Sequence, residues 1–246
     1  MIGIFDSGSG GLSVLREIVK ILPRERYFYF ADNAYCPYGK KSAEEIIARS
    51  RTITDFLVSK GAGIIVVACN TATSAAIATL RKEYPMSFIG MEPAVKPAAL
   101  SSKSGVIGVL ATAGTLKGSK YLISKGKYEK DVRIIENVGE GFVELVESGE
   151  TGGPHAEQVI RASLQPLLDA GADTIVLGCT HYPFLLETMK AIAPEGTRFI
   201  DPAPAVARQL KAVMDSEGIN EEDGPGVRLL GSGSLETLQK LYRLIL

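Results

Sequence analysis

Short apolar runs alternate along this chain with longer stretches in which apolar residues recur every three or four positions. Met1 to Phe5 is such a run. It breaks off at Asp6-Ser7-Gly8-Ser9-Gly10-Gly11, after which Leu12, Leu15, Ile18, Val19 and Leu22 share one face of a helix that Pro23 stops. Tyr27 to Ala31 reads as a second strand and Ala43 to Lys60 as a second helix. Ile64 to Ala68 is a β-branched run of the kind that is buried on both faces in a parallel sheet; Cys69-Asn70-Thr71 follows it and leads into a helix through Tyr84. Strand and helix alternating in this way define an α/β class built on parallel sheets.

The pattern also repeats. Residues 2–7 (Ile-Gly-Ile-Phe-Asp-Ser) align with 107–112 (Ile-Gly-Val-Leu-Ala-Thr), and residues 64–71 align with 174–181 (Thr-Ile-Val-Leu-Gly-Cys-Thr-His). Both matches pair a strand with the loop beyond it, in the same order and at nearly the same offset. The expectation is two similar parallel-sheet α/β domains related by pseudo-twofold symmetry, with the active site in the cleft between them. The first would comprise residues 1–91 plus a returning tail, 202–246, and the second residues 92–201. Pro93 and Pro97 mark the entry to the second, and Pro202 and Pro204 its exit. The tail carries one strand candidate, Val227 to Leu230, and a last helix from Leu235.

The repeat places Cys69 and Cys179 at equivalent positions, each at the C-terminal end of a buried strand, where open parallel sheets bind their ligands. Two halves facing each other would present these thiols to opposite sides of one bound molecule. A helix N-terminus following each cysteine would help to stabilise a thiolate, whose unperturbed pKa is roughly 8.5. Cys36 has no counterpart in the other half.

Composition narrows the partners. With 27 basic and 28 acidic residues in 246, the net charge is -1, so no bulk field favours nucleic acid or an anionic membrane. An apolar content of 46% excludes disorder, and no apolar run approaches the roughly 18 residues of a membrane span. No basic segment precedes an apolar one at the start, so no secretory signal is expected. Three widely spaced cysteines suit neither a disulfide framework nor C-x-x-C metal spacing, and reduced thiols in a cytoplasm are the expectation, with no metal.

Four segments together, Asp6-Ser7-Gly8-Ser9-Gly10-Gly11, Cys36-Pro37-Tyr38-Gly39, Cys69-Asn70-Thr71-Ala72 and Gly178-Cys179-Thr180-His181-Tyr182-Pro183, resemble those of the glutamate racemases, within the cofactor-independent aspartate/glutamate racemase superfamily. They stand in the family's order and span most of the chain. The resemblance implies inversion of glutamate at its α-carbon without a cofactor, supplying D-glutamate for peptidoglycan. It makes Cys69 the base for D-glutamate and Cys179 the base for L-glutamate. It further implies that Asp6 and Ser7 contact the amino group and assist the first thiol, and that Tyr38 and Gly39 close on the substrate. Asn70, Thr71 and Thr180 would bind its carboxylates and amine, and His181 would assist the second thiol. Asp32 and Glu147 stand where the family has further acidic helpers. A homodimer is implied as well.

The chain departs from the family around Glu147, where the helix lacks the relatives' Cys-Pro and Pro, and at Asn33-Ala34. The same residues also admit plainer readings. Asp6 could cap the helix that begins near Gly11, Asn70 and Thr71 could be caps, and Asp32 could be ordinary turn chemistry. Glu147 could be an exposed helix carboxylate, and Tyr38 could merely pack its loop. The glycine loop lacks the Gly-Lys-Ser/Thr of a phosphate cradle, and His155 has no assigned role. Competing functions are an aspartate racemase, which tends to carry an acidic residue where His181 stands, an amino-acid-binding protein that has lost the chemistry, and a second role through a protein partner such as DNA-gyrase inhibition.

Overall fold

The computed structural model describes residues 1–219, 224 and 226–246. Its strands, in chain order, are β1 (Ile2–Asp6), β2 (Arg26–Ala31), β3 (Ile64–Val67), β4 (Ser87–Gly90), β5 (Val106–Ala111), β6 (Arg133–Val138), β7 (Thr174–Gly178), β8 (Arg198–Ile200) and β9 (Gly226–Gly231). They form two parallel sheets, ordered β4-β3-β1-β2-β9 and β8-β7-β5-β6. The first four strands of one sheet therefore match the four of the other, position for position. The repeated segments also keep one register: Ile2 faces Ile64 across β1 and β3, and Ile107 faces Thr174 across β5 and β7. β9 pairs in parallel with β2 and has no counterpart.

Central strands are buried along their whole length because helices cover both faces of each sheet. Every residue of β1, β3 and β7 is inaccessible to solvent. Helix Leu12–Ile21 buries Leu12, Val14, Leu15 and Ile18 and ends at Leu22, just before Pro23. Helix Ala43–Ser59 opens on a capping box in which Ser42 and Glu45 satisfy each other's backbone amides. One apolar core runs without a break from Leu15 and Ile18 through Phe142 and Val146 to Leu164 and Leu177, so the two sheets share packed side chains. No helix among the described residues is long and apolar enough to cross a membrane.

Three strands carry too little apolar signal to be read from the sequence: β4 and β8 are only four and three residues long, and β6 places Glu136 and Asn137 in its middle. The strand expected over Val227 to Leu230 is present as β9, longer by a residue at each end. One expectation is corrected. Cys69 does cap an α-helix, Asn70–Glu83, but Cys179 leads into a 3-10 turn, Tyr182–Leu185. The α-helix itself begins only at Leu186, one turn further on. The two thiols thus have different surroundings.

Candidate active site

Ser7, Tyr38, Gly39, Cys69, Asn70, Thr71, Cys179, Thr180 and His181, all expected from the sequence, line one narrow cavity, together with Pro37, Thr112 and Val143. Ser7 and Cys69 come from loops of the first sheet, Asn70 from the first turn of the helix after β3, and Cys179 and Thr180 from a loop of the second sheet, all beyond strand C-terminal ends. The lining residues include no lysine or arginine. Donors are instead hydroxyls, amides and the N-terminus of helix Asn70–Glu83, which suit a carboxylate. Asn70 points to such a ligand: it is only 7% exposed, yet its Nδ2 has no hydrogen-bond partner among the described residues.

Around Cys69 the environment is acidic. Its Sγ accepts from the Ala72 amide at 3.4 Å, as a helix cap does, and lies 3.7 Å from the Ser7 hydroxyl. Burial and the nearby Asp6 charge outweigh these contacts and push the Cys69 thiol up to about 12. Cys69 is therefore held as a thiol: the helix N-terminus favours the thiolate through the Ala72 amide, as expected from the sequence, but desolvation outweighs it. Asp6 is fully buried and does not cap helix Leu12–Ile21. Its carboxylate accepts from the Gly8 amide at 2.9 Å and from the Thr180 hydroxyl at 3.0 Å, while burial raises its pKa.

Cys179 faces an imidazole. His181 Nδ1 is 3.7 Å from Cys179 Sγ, and His181 Nε2 is 2.7 Å from Glu147 Oε1. Glu147 also accepts from the Ser9 amide at 2.6 Å and the Ser9 hydroxyl at 3.1 Å, so it ties its helix, Phe142–Ser148, to the glycine loop after β1. Burial opposes the imidazolium, but contacts with Cys179, Cys36 and Glu147 outweigh it and raise His181 well above its ordinary value. Burial would likewise raise Glu147, yet His181 and Ser9 together bring it below the usual carboxylate range. The ring is seated by Gly10, where a Cβ would lie 2.4 Å from Nδ1.

Asp32 lies outside the cavity lining. Arg49 grips its buried carboxylate with two bonds of 2.9 and 2.7 Å, and the Tyr38 hydroxyl donates to it at 2.5 Å. Arg49 also stacks 3.8 Å from the Tyr35 ring centre. Asp32 thus fixes the loop that presents Tyr38 and Gly39. Asn33 at the departure from the family pattern bonds to the tail, accepting from the Gly233 amide at 2.7 Å.

Two residues were not picked out from the sequence. Thr112 lines the cavity and bonds to Thr71 through their hydroxyls at 2.9 Å; its alignment with Ser7 in the internal repeat was the available signal. Cys36 does not line the cavity, yet its Sγ, a Glu147 oxygen and a His181 nitrogen all lie within 4.8 Å of one another, the only such cluster of potential metal ligands among the described residues. No sequence spacing announces this cluster, because its members are far apart in the chain.

The model for the Asp/Glu/hydantoin racemases matches residues 2–210, and the chain belongs to that family. It is 45% identical to the glutamate racemase of Ectopseudomonas mendocina, over 100% of this chain and 94% of that one. Among solved structures, it superposes with a TM-score of 0.89 on Escherichia coli glutamate racemase in complex with L-glutamate and the activator UDP-MurNAc-ala, at 32% identity over 99% of this chain and 94% of that one. With the Francisella tularensis glutamate racemase in complex with D-glutamate, the TM-score is 0.84 at 27% identity, over 99% and 92%.

Proposed function

We propose that this chain is a glutamate racemase, an isomerase that interconverts L- and D-glutamate with two cysteines and supplies D-glutamate for peptidoglycan. The observation that carries the reading is the pair of strand-end thiols brought to one cavity with opposite surroundings, Asp6 beside Cys69 and the His181–Glu147 pair beside Cys179. Inversion needs one base and one acid on opposite faces of the same carbon. In the L-to-D direction, Cys179 as thiolate, paired with the His181 imidazolium, takes the α-proton. The electron pair stays on the α-carbon, and the Cys69 thiol then delivers its proton to the other face. The reverse direction exchanges the roles. The side chains themselves provide the acid and the base, so no cofactor is invoked.

Asn70, Thr71, Thr112 and Thr180 would hold the substrate's carboxylates and amine, with Ser7 and Asp6 at the ammonium. Residues 1–91 with 202–246 and residues 92–201 are taken as the two domains that part to admit it. The protein would act in the cytoplasm as a homodimer.

The test is incubation with L-glutamate in D₂O without added cofactor, following loss of the α-proton signal and the chirality of the product, with L-aspartate in parallel. Loss of signal together with D-glutamate supports the reading. Turnover of aspartate alone would reassign the substrate, and exchange of neither by folded, reduced protein would sink it.

A further inference from the structure

Cys36, Glu147 and His181 reach one point from three separate segments: the loop after β2, helix Phe142–Ser148 and the loop after β7. Their donors are a thiol sulfur, a carboxylate oxygen and an imidazole nitrogen, the ligand set that zinc-class cations prefer over magnesium or calcium. Zn–S and Zn–N bonds of roughly 2.3 and 2.0 Å place tetrahedral ligand atoms about 3.5 Å apart. The spread of 4.8 Å therefore needs only small side-chain shifts to contract around an ion. At Gly8 a Cβ would sit 2.2 Å from Glu147 Oε1 and 3.1 Å from Cys36 Sγ, so the absence of a side chain there is what lets these two donors pack together against the glycine loop. His181 is fully buried, but Glu147 keeps 21% of its side chain exposed and Cys36 is half-buried, which leaves an approach from solvent.

We propose that Cys36, Glu147 and His181 form an inhibitory site for a thiophilic divalent cation such as Zn²⁺. The ion displaces the proton shared by His181 Nε2 and Glu147 and the proton of the Cys36 thiol. Coordinated on that edge, the imidazole no longer carries the positive charge that supports Cys179 across 3.7 Å. Three protein ligands leave the fourth position to water. Binding of the ion is independent of the racemase reading, and only the inhibition rests on it.

The test uses Co²⁺ as an optical probe on the reduced full-length chain, with racemisation under Zn²⁺ measured separately. Wild type should show a near-ultraviolet thiolate-to-cobalt band and strong tetrahedral visible bands that saturate at a single equivalent. Cys36→Ser and Cys36→Ala should keep their fold by circular dichroism, and the effect of Zn²⁺ is read against each variant's own metal-free turnover. Both should lose the thiolate band and bind Co²⁺ roughly 100-fold more weakly or worse, since loss of a ligand costs at least as much as the roughly 10- to 100-fold lost with an outer partner of a ligand. Resistance to Zn²⁺ should rise in step. Cys179→Ser should retain the band. Absence of a band in wild type overturns the proposal. So does a band that survives in both Cys36 variants and vanishes in Cys179→Ser, which would place the ion on the catalytic thiol. A band of the expected kind in a protein that turns over no glutamate would leave the site standing and refute the assigned reaction instead.

Discussion

Glu147→Gln isolates the contribution of one charge. Glu147 Oε1 receives both the Ser9 amide at 2.6 Å and His181 Nε2 at 2.7 Å, and Oε2 receives the Ser9 hydroxyl at 3.1 Å. A glutamine amide can keep its oxygen at the first position and donate to Ser9 Oγ from the second, so every contact has a replacement and only the charge is lost. A hydrogen bond to a charged group contributes about 1.5–3 kcal/mol against about 1 for a neutral one, a difference that converts to a roughly 2- to 30-fold loss of kcat/KM. The loss must be equal in both directions, because enantiomers have the same free energy and the equilibrium constant is one. Unequal effects can appear only in kcat and KM separately.

The pH dependence gives the sharper readout. Glu147 helps to raise His181, so the imidazolium that supports Cys179 is present at lower pH and is lost as pH rises through the raised value. Removing the carboxylate lowers that value, and the alkaline limb of kcat/KM moves to lower pH. Circular dichroism of the amino acid, followed from each enantiomer across pH, measures both effects. A variant within twofold of wild type, with an unmoved alkaline limb, would refute the assigned role of Glu147. Glu147→Ala serves as the contrast, since it strands the Ser9 amide and His181 Nε2 and should cost stability as well, about 1–3 kcal/mol for each group left without a partner.

Other outcomes follow from the same geometry. Cys69→Ser and Cys179→Ser should each nearly abolish racemisation with the fold intact. In D₂O, Cys69→Ser should still exchange the α-proton of L-glutamate, and Cys179→Ser that of D-glutamate; the reverse pattern would interchange the two thiols' faces. Tyr38→Phe removes the donor to buried Asp32, with Arg49 still in place. It should loosen the loop by about 1–2 kcal/mol and raise KM more than it lowers kcat, which steady-state kinetics and thermal melts will check. Asp173 accepts from Ser102, Lys103, Ser104 and Thr174, and these bonds overcome the effect of burial to hold it down to about 2. Its contribution is present above the unfolded value near 4 and lost as pH falls toward 2; with solvent screening it is about 1 kcal/mol, so Asp173→Asn should flatten acid unfolding in that window.

What was legible in the sequence is what parallel sheets write locally. β1, β3 and β7 are buried on both faces, so their β-branched and leucine runs, and the polar loops after them, stand out. The nearly equal offsets of the repeated segments likewise accompany an equal strand order and register. Neither β6, half-exposed with Glu136 and Asn137 inside it, nor three-residue β8 has such a pattern. The site was legible where chemistry is contiguous in the chain, as at Cys69-Asn70-Thr71 and Cys179-Thr180-His181. It was not where partners meet only through space. Nothing local to Glu147 indicates that it touches His181, and nothing near Asp32 indicates that Arg49 will claim its carboxylate.

The shared register of the two sheets invites a reading in terms of descent. A planar carbanion has two faces that a twofold rotation exchanges, so an ancestral pair of identical half-length chains could have offered one thiol to each. In one continuous chain each loop can differ alone, and the aligned positions show where the two do: Asp6 against Ala111, Ser7 against Thr112, Asn70 against Thr180 and Thr71 against His181. The cysteines stayed alike while an acid was kept on one side and an imidazole on the other. Asymmetric protonation, which a symmetric pair could reach only by chance fluctuation, thereby became written into the chain.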